Sequence, residues 1–307
     1  MASRKDRPAA SKATDSRPRV AVIVRAHFDC EKLRDLARIL KTGIGYEFFV
    51  FADQTHGPLD LPGEPVVPCS DRMCADLGLV GSLPPEYPIF WYFGDYAFYC
   101  ALHSIPGFDY YIMIDYDVEF VRGNTYALES LIARLNIPGS PALDMVGPSF
   151  FLRTPDWVWS PDCQRVFPEV YGVFFPLVVL SKRAAEYLYE WRRTEAAAPP
   201  PKGGKYLMSE AFVASALVAA GRFHCADLNS VLPECTKWDT FRVNPAILLG
   251  NLPALDRSIE FVHPVYSLRE YLKCDRSNPL GLPVGPKLPA ASRNEKRQSQ
   301  RTRRVTR

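Results

Sequence analysis

The apolar positions of this chain come in two rhythms. RVAVIVRAH (19–27) and YEFFVFAD (46–53) are short, largely unbroken apolar runs, the pattern of strands buried on both faces. Between them, CEKLRDLARILKTG places Leu33, Leu36, Ala37 and Leu40 at helical spacing, and Gly43 supplies a natural stop. Strand, helix and strand in that order imply a parallel sheet covered by helices.

The rest of the chain continues the alternation. Residues 54–88 are rich in Pro and Gly and read as a long ordered loop with one short helix. FWYFGDYAFYCALHSI (90–105) reads as one helix with Tyr92, Tyr96 and Tyr99 on a shared face, and the strand YYIMIDYDV follows at once. DMVGPSF (144–150) is a further short strand, and GVFFPLVVLSKRAAEYLYEWRR (172–193) a strand running into an amphipathic helix. AAAPPPKGGK (196–205) reads as a mobile loop, MSEAFVASALVAAG (208–221) as a helix capped by Ser209, and SIEFVHPVYS (258–267) as a last strand. No internal repeat is present.

Composition adds bounds. With 307 residues and 47% apolar content the chain can bury a large core. The net charge of +3 is unevenly spread, since the last sixteen residues hold seven Lys/Arg against one Glu. Residues 276–307 therefore read as a disordered basic tail and 1–18 as a disordered polar arm, flanking one domain over 19–275. No apolar run nears the roughly 20 residues that span a bilayer, and the N-terminal stretch lacks a signal-peptide core, so a cytoplasmic protein is expected. The tail implies no specific nucleic-acid binding. It reads first as a solvated terminus, with nonspecific nucleic-acid contact or weak contact with an anionic membrane surface, which would put the protein at the inner face of the membrane, as alternatives. Eight scattered cysteines without a CxxC pair read as mostly buried thiols.

The candidate chemistry starts in YYIMIDYDVEF (110–120), where a core strand ends in Asp115 and Asp117, with Glu119 next in the alternation. Residues two apart share a face while the chain stays extended. Two carboxylates at a strand end are costly unless paired with cations, hydrogen-bonded or bound to a metal. A hard divalent cation, Mg²⁺ or Mn²⁺, answers that cost and completes its shell with substrate phosphates. The alternative is that the acids pair with Arg or cap the following turn.

The succession RVAVIVRAH, FVFAD, a helix with GDY, IMIDYDV, GVFFPLVVLSKRA, SEAF and EFVHPVYS resembles the GT-A glycosyltransferases of the nucleotide-diphosphosugar transferase superfamily. WYFGDYAFY, YYIMIDYDVEF and HPVYS are similar to a little-characterised glycosyltransferase-like group of bacterial and fungal proteins. The resemblance implies an α/β fold of GT-A type, a Rossmann-type open mixed sheet flanked by helices, and transfer of a sugar from a nucleotide-diphosphosugar donor to an acceptor hydroxyl of a glycan, lipid or protein. By that resemblance Asp117 is the metal-binding second Asp of the DxD, and Asp115 the first, facing the ribose or a metal-bound water. His263 would complete the metal shell, with a satisfied core or rim His as the alternative, and a mixed carboxylate and imidazole set leans towards Mn²⁺ over Mg²⁺. Arg25, Ala26, His27 and Asp53 fall where the family holds base and ribose, with a strand-end salt bridge as the alternative. Asp95 is either a nucleotide contact or a partner for an Arg. Glu210 falls where inverting members place a general base, although the family's two consecutive acids are here Ser209, Glu210 and Ala211, and an acid favoured by the helix dipole in a first turn is the alternative. Trp157 and Trp159 either stack on an acceptor sugar or anchor their loop, and the loops at 54–88 and 196–205 are candidate lids.

Two rivals stand beside this reading. Aspartate-nucleophile phosphoryl transfer also uses a strand ending in DxD, normally the first strand. A catalytically inactive binding or scaffold protein on the same fold is the other. No P-loop and no GxGxxG occurs.

Overall fold

The computed structural model describes residues 17–43, 45–54, 58–59, 61–80, 89–198, 205–243, 245–256 and 258–267. Nearly all of the N-terminal arm, the whole basic tail and much of both candidate lid loops lie outside the described residues.

Strands β1 (Val20–Ala26) and β2 (Glu47–Asp53) run parallel. Helix α1 (Glu31–Gly43) joins them and buries Leu33, Leu36, Ala37 and Leu40, as the spacing predicts. The stretch expected as a loop holds one more parallel strand, β3 (Val66–Cys69), ahead of α2 (Asp71–Asp76). Four residues interrupted by Pro68 at a sheet edge carry too short a pattern to be read. Helices α3 (Ile89–Tyr92) and α4 (Tyr96–Ser104) lead to β4 (Tyr110–Asp115), β5 (Glu119–Phe120) and α5 (Tyr126–Leu135). Next come β6 (Met145–Gly147), β7 (Phe151–Leu152), α6 (Ser160–Cys163), β8 (Tyr171–Gly172) and β9 (Leu177–Ser181). Ser181 caps α7 (Lys182–Ala197) by accepting the Ala184 amide. Ser209, expected as the cap of α8 (Ser209–Ala219), is its first residue, and Met208 holds the cap position. The chain closes through β10 (Cys225–Asp227), α9 (Leu228–Val231), β11 (Ile247–Leu248), β12 (Phe261–Val262) and β13 (Val265–Tyr266).

Seven strands form one open sheet in the order β10-β6-β9-β4-β1-β2-β3. The sheet is mixed, because β9 runs antiparallel to both β4 and β6. All five residues of β9 are buried, so its apolar run looks like that of a parallel strand and does not encode direction. Alternate residues of the central strands feed two cores. Val20, Val22, Val24, Ile112 and Ile114 pack with α1 and α5, while Ala21, Ile23, Tyr111 and Met113 pack with α4, α7 and α8. This is a three-layer α/β sandwich, the Rossmann-type mixed sheet flanked by helices that the sequence resemblance implies. The described cysteines are free thiols, five of them buried. Among the described residues no helix is long and apolar enough to cross a membrane.

The helix expected over 90–105 is broken, with turns at Phe93–Asp95 between α3 and α4. Asp95 explains the break. Its side chain is fully buried against an equally buried Arg192 of α7, with Nε to Oδ2 at 2.7 Å and Nη2 to Oδ1 at 3.0 Å. Tyr99 donates to the same carboxylate at 2.7 Å, and Arg192 also meets Glu195 and the Leu207 carbonyl at 2.7 Å each. Phe93, Tyr96 and Phe212 surround the guanidinium. Asp95 is thus the partner of an Arg inside the core, not a nucleotide contact. Removing one member of such a pair strands a buried charge, so Asp95→Ala should lose about 3–5 kcal/mol of unfolding free energy in a denaturant titration. A loss below about 1 kcal/mol would rank the bridge with solvent-exposed ones and refute this account of the core.

Candidate active site

The chain runs outward from β1 to β2 and β3, then returns to lay β4 on the other side of β1. That reversal opens a crevice at the carboxyl ends of β1 and β4, the place where open α/β sheets bind ligands. Arg25 and Asp115 are register partners there. The guanidinium grips the carboxylate by both oxygens, Nε to Oδ1 and Nη2 to Oδ2, each at 2.7 Å. Nη1 donates to the Phe90 carbonyl at 2.9 Å. Of the two readings of Arg25, the strand-end salt bridge is the one the geometry adopts. Gly94 makes room for it, since a Cβ would stand 2.6 Å from Arg25 Nη1 and 2.9 Å from Phe175 Cδ1. Gly94 and Asp95 therefore serve different neighbours, the first admitting Arg25 and the second binding Arg192.

β4 ends at Asp115, so Asp117 sits in the turn beyond rather than on an extended strand. The antiparallel pairing of β12 with β5 sets Val262 opposite Glu119. The Val265 amide then donates to the Asp117 carbonyl at 3.0 Å. These ties bring His263 Nε2 to 3.2 Å from Asp117 Oδ1. His263 Nδ1 meets the Arg242 carbonyl at 2.9 Å, which makes Nδ1 the donor and turns Nε2 into the site. Donor atoms of Asp115, Asp117 and His263 all lie within 4.8 Å of one another. Burial opposes ionisation of Asp117, yet the His263 charge outweighs it and holds the carboxyl below its ordinary pKa. Burial likewise opposes charge on His263, and Asp117 outweighs that and lifts the imidazole pKa. Lys32 pairs with Glu119 at 2.9 Å on the α1 side, so the third acid of the alternation is spent on a salt bridge.

Glu210 opens α8 beside this cluster. Desolvation raises its carboxyl to about 7, against the pull of Arg153, a hydrogen bond from the Phe175 amide, and the charges of Arg25 and His263. His27 is exposed at the rim just past β1, its ring edge-on to Phe28 and Tyr116. Asp53 ends the neighbouring β2 and acts electrostatically on both His27 and Arg25. The structure thus gathers Arg25, His27, Asp53, Asp115, Asp117, Glu210 and His263 around one crevice and leaves Asp95 in the core. Trp159 packs edge-on to Trp91 and Tyr92 and is a loop anchor. Trp157 instead lies against the guanidinium of Arg153, a residue that no sequence pattern singles out.

No protein-family model and no curated protein matches the chain. Among solved structures it is similar to a glycosyltransferase involved in the glycosylation of the major capsid of PBCV-1, at 12% identity and a TM-score of 0.41, covering 80% of this chain and 92% of that one. It is also similar to a mannosyltransferase from Pyrobaculum calidifontis solved with GDP-Man and Mn²⁺, at 12% identity and a TM-score of 0.37, covering 69% of this chain and 55% of that one. A third is glucosyl-3-phosphoglycerate synthase from Mycobacterium tuberculosis with Mn²⁺, UDP and phosphoglyceric acid, at 14% identity and a TM-score of 0.38, covering 69% of each chain. The chemistry of the present site follows from its own residues.

Glu210 gives a pH test in metal-free buffer. Its folded pKa of about 7 lies above the ordinary 4.5, so its contribution to stability is fully present below the unfolded value and is lost as pH rises through the folded one. Glu210→Gln should therefore gain on wild type in melting temperature as pH goes from about 5 to about 8. Parallel curves for the two proteins would mean that the carboxyl titrates as an ordinary exposed one.

Proposed function

We propose that the protein is a metal-dependent glycosyltransferase, moving a sugar from a nucleotide-diphosphosugar to an acceptor hydroxyl. The observation that carries the reading is the cluster of Asp115, Asp117 and His263 donor atoms within 4.8 Å at the sheet's reversal point. The set fits a divalent ion. Two hard oxygen donors with one imidazole suit Mn²⁺, with Mg²⁺ next, and the carbonyl bond on His263 Nδ1 is the outer support that metal-binding imidazoles take. When bound, the ion would supply positive charge against the diphosphate leaving group.

The chain's own residues do the rest. Arg25 fixes the orientation of Asp115 by holding both of its oxygens. Asp53, at the adjoining strand end, accepts hydrogen bonds from ribose hydroxyls, and the exposed His27 ring faces the base. Glu210 takes the proton of the acceptor hydroxyl as that oxygen bonds to the anomeric carbon and the bond to the diphosphate breaks. A carboxyl with a pKa of about 7 is well matched to this role at neutral pH. The phosphoryl-transfer alternative normally places its DxD at the end of the first strand, and here the motif follows the fourth.

Melting temperature against a panel of nucleoside diphosphates and sugar nucleotides, with and without Mn²⁺, tests the proposal. One nucleotide at about 100 times its Kd should stabilise by about 2.7 kcal/mol, a shift on the order of 5–10 °C. The shift should need the metal and vanish in Asp117→Ala. No shift with any nucleotide would overturn the transferase reading and leave the binding-protein alternative.

A further inference from the structure

The ribbon formed by β7 and β8 carries a cation, Arg153, that makes no salt bridge among the described residues. Arg153 follows β7 and lies across Gly172 of β8, where a Cβ would stand 2.2 Å from its Nε and 2.9 Å from the Trp157 ring. Its guanidinium carbon is 3.8 Å from the Phe151 ring centroid and 4.7 Å from that of Trp157. Nη2 donates to the Ser149 carbonyl at 2.9 Å, and Ser149 holds a left-handed φ of 58°. Nε is buried and has no partner among the described residues. Desolvation lowers the Arg153 pKa, and the opposing charge is that of Glu210. The two residues are coupled in both directions, since Arg153 is also the strongest charge pulling on Glu210. Phe151 and Leu152, each 51% exposed, leave the ledge open to solvent.

A partly desolvated guanidinium with no carboxylate bridge among the described residues is costly until an oxyanion neutralises it, and a planar guanidinium suits the oxygens of a carboxylate or phosphate. An aromatic face beside it suits the apolar face of a ring. We propose that Phe151, Arg153 and Trp157 form the acceptor subsite, and that the acceptor carries an oxyanion held by Arg153 while its hydroxyl reaches Glu210. This rests on the transferase reading and adds the acceptor's chemical class to it.

The test is direct binding to the full chain, with Mn²⁺ and the nucleoside diphosphate selected by the melting panel, of three probes: glucuronic acid, glucose 6-phosphate and methyl glucoside. At least one charged sugar should bind ten times or more tighter than methyl glucoside, and whichever is tighter identifies carboxylate or phosphate as the source. Arg153→Gln should abolish the preference and leave nucleotide binding unchanged. Arg153→Lys, which keeps the charge, should retain part of it and guards against a folding loss. Gly172→Ala, which pushes the guanidinium aside with its charge intact, should also weaken the charged probe. Equal binding of all three probes, no binding, or a preference that survives Arg153→Gln would overturn the proposal. Absent nucleotide binding with the preference intact would sink the transferase reading alone.

Discussion

The pair of Arg25 and Asp115 is the constraint on which the site depends. It joins the carboxyl ends of β1 and β4 across the point where the sheet reverses its strand order. Held by both oxygens, Asp115 cannot swing away from the crevice, and the turn that follows must deliver Asp117 next to it. The guanidinium in turn needs space and a carbonyl, and the broken helix supplies both through Gly94 and Phe90. A regular helix over that stretch would put its hydrogen bonds ahead of these contacts. The break is where helix propensity yields to the demands of two arginines, the partly buried Arg25 and the fully buried Arg192.

Those arginines divide the labour of the second layer. Arg25 organises the crevice, while Arg192 ties α7 to the α3–α4 turn through Asp95 and to the entry of α8 through the Leu207 carbonyl. Glu210 lies three residues after Leu207, so the core pair also sets where the candidate base stands. Asp95 is therefore near the chemistry in sequence and in space without facing the ligand crevice.

Much of this was legible in the sequence for a physical reason. Continuous apolar runs and helical spacing report burial, and burial locates β1, β2, β4, β9, α1, α7 and α8. The acids ending β4 and the His after β12 stand out because polar groups interrupt apolar runs there. Strand direction left no such trace in β9, nor did the short edge strands β3 and β10. Asp95 was ambiguous because a buried acid and a ligand-facing acid look alike until the partner is known, and that partner, Arg192, lies 97 residues away. Arg153 gave no signal at all, since its neighbours Trp157 and Gly172 come together only in the fold.

The crevice also has an internal charge balance that any ion must enter. Asp115 is matched by Arg25, and Asp117 is matched by His263 only while that imidazole carries its proton. The raised pKa of His263 is the mark of this pairing. A divalent ion held by Nε2 and the Asp117 carboxylate would take the place of that proton, so ion binding and proton release would be linked. Affinity for such an ion would then fall as pH drops through the raised His263 pKa. The local charge would change by less than the full charge of the ion, so Asp115 and Asp117 would be matched in either state.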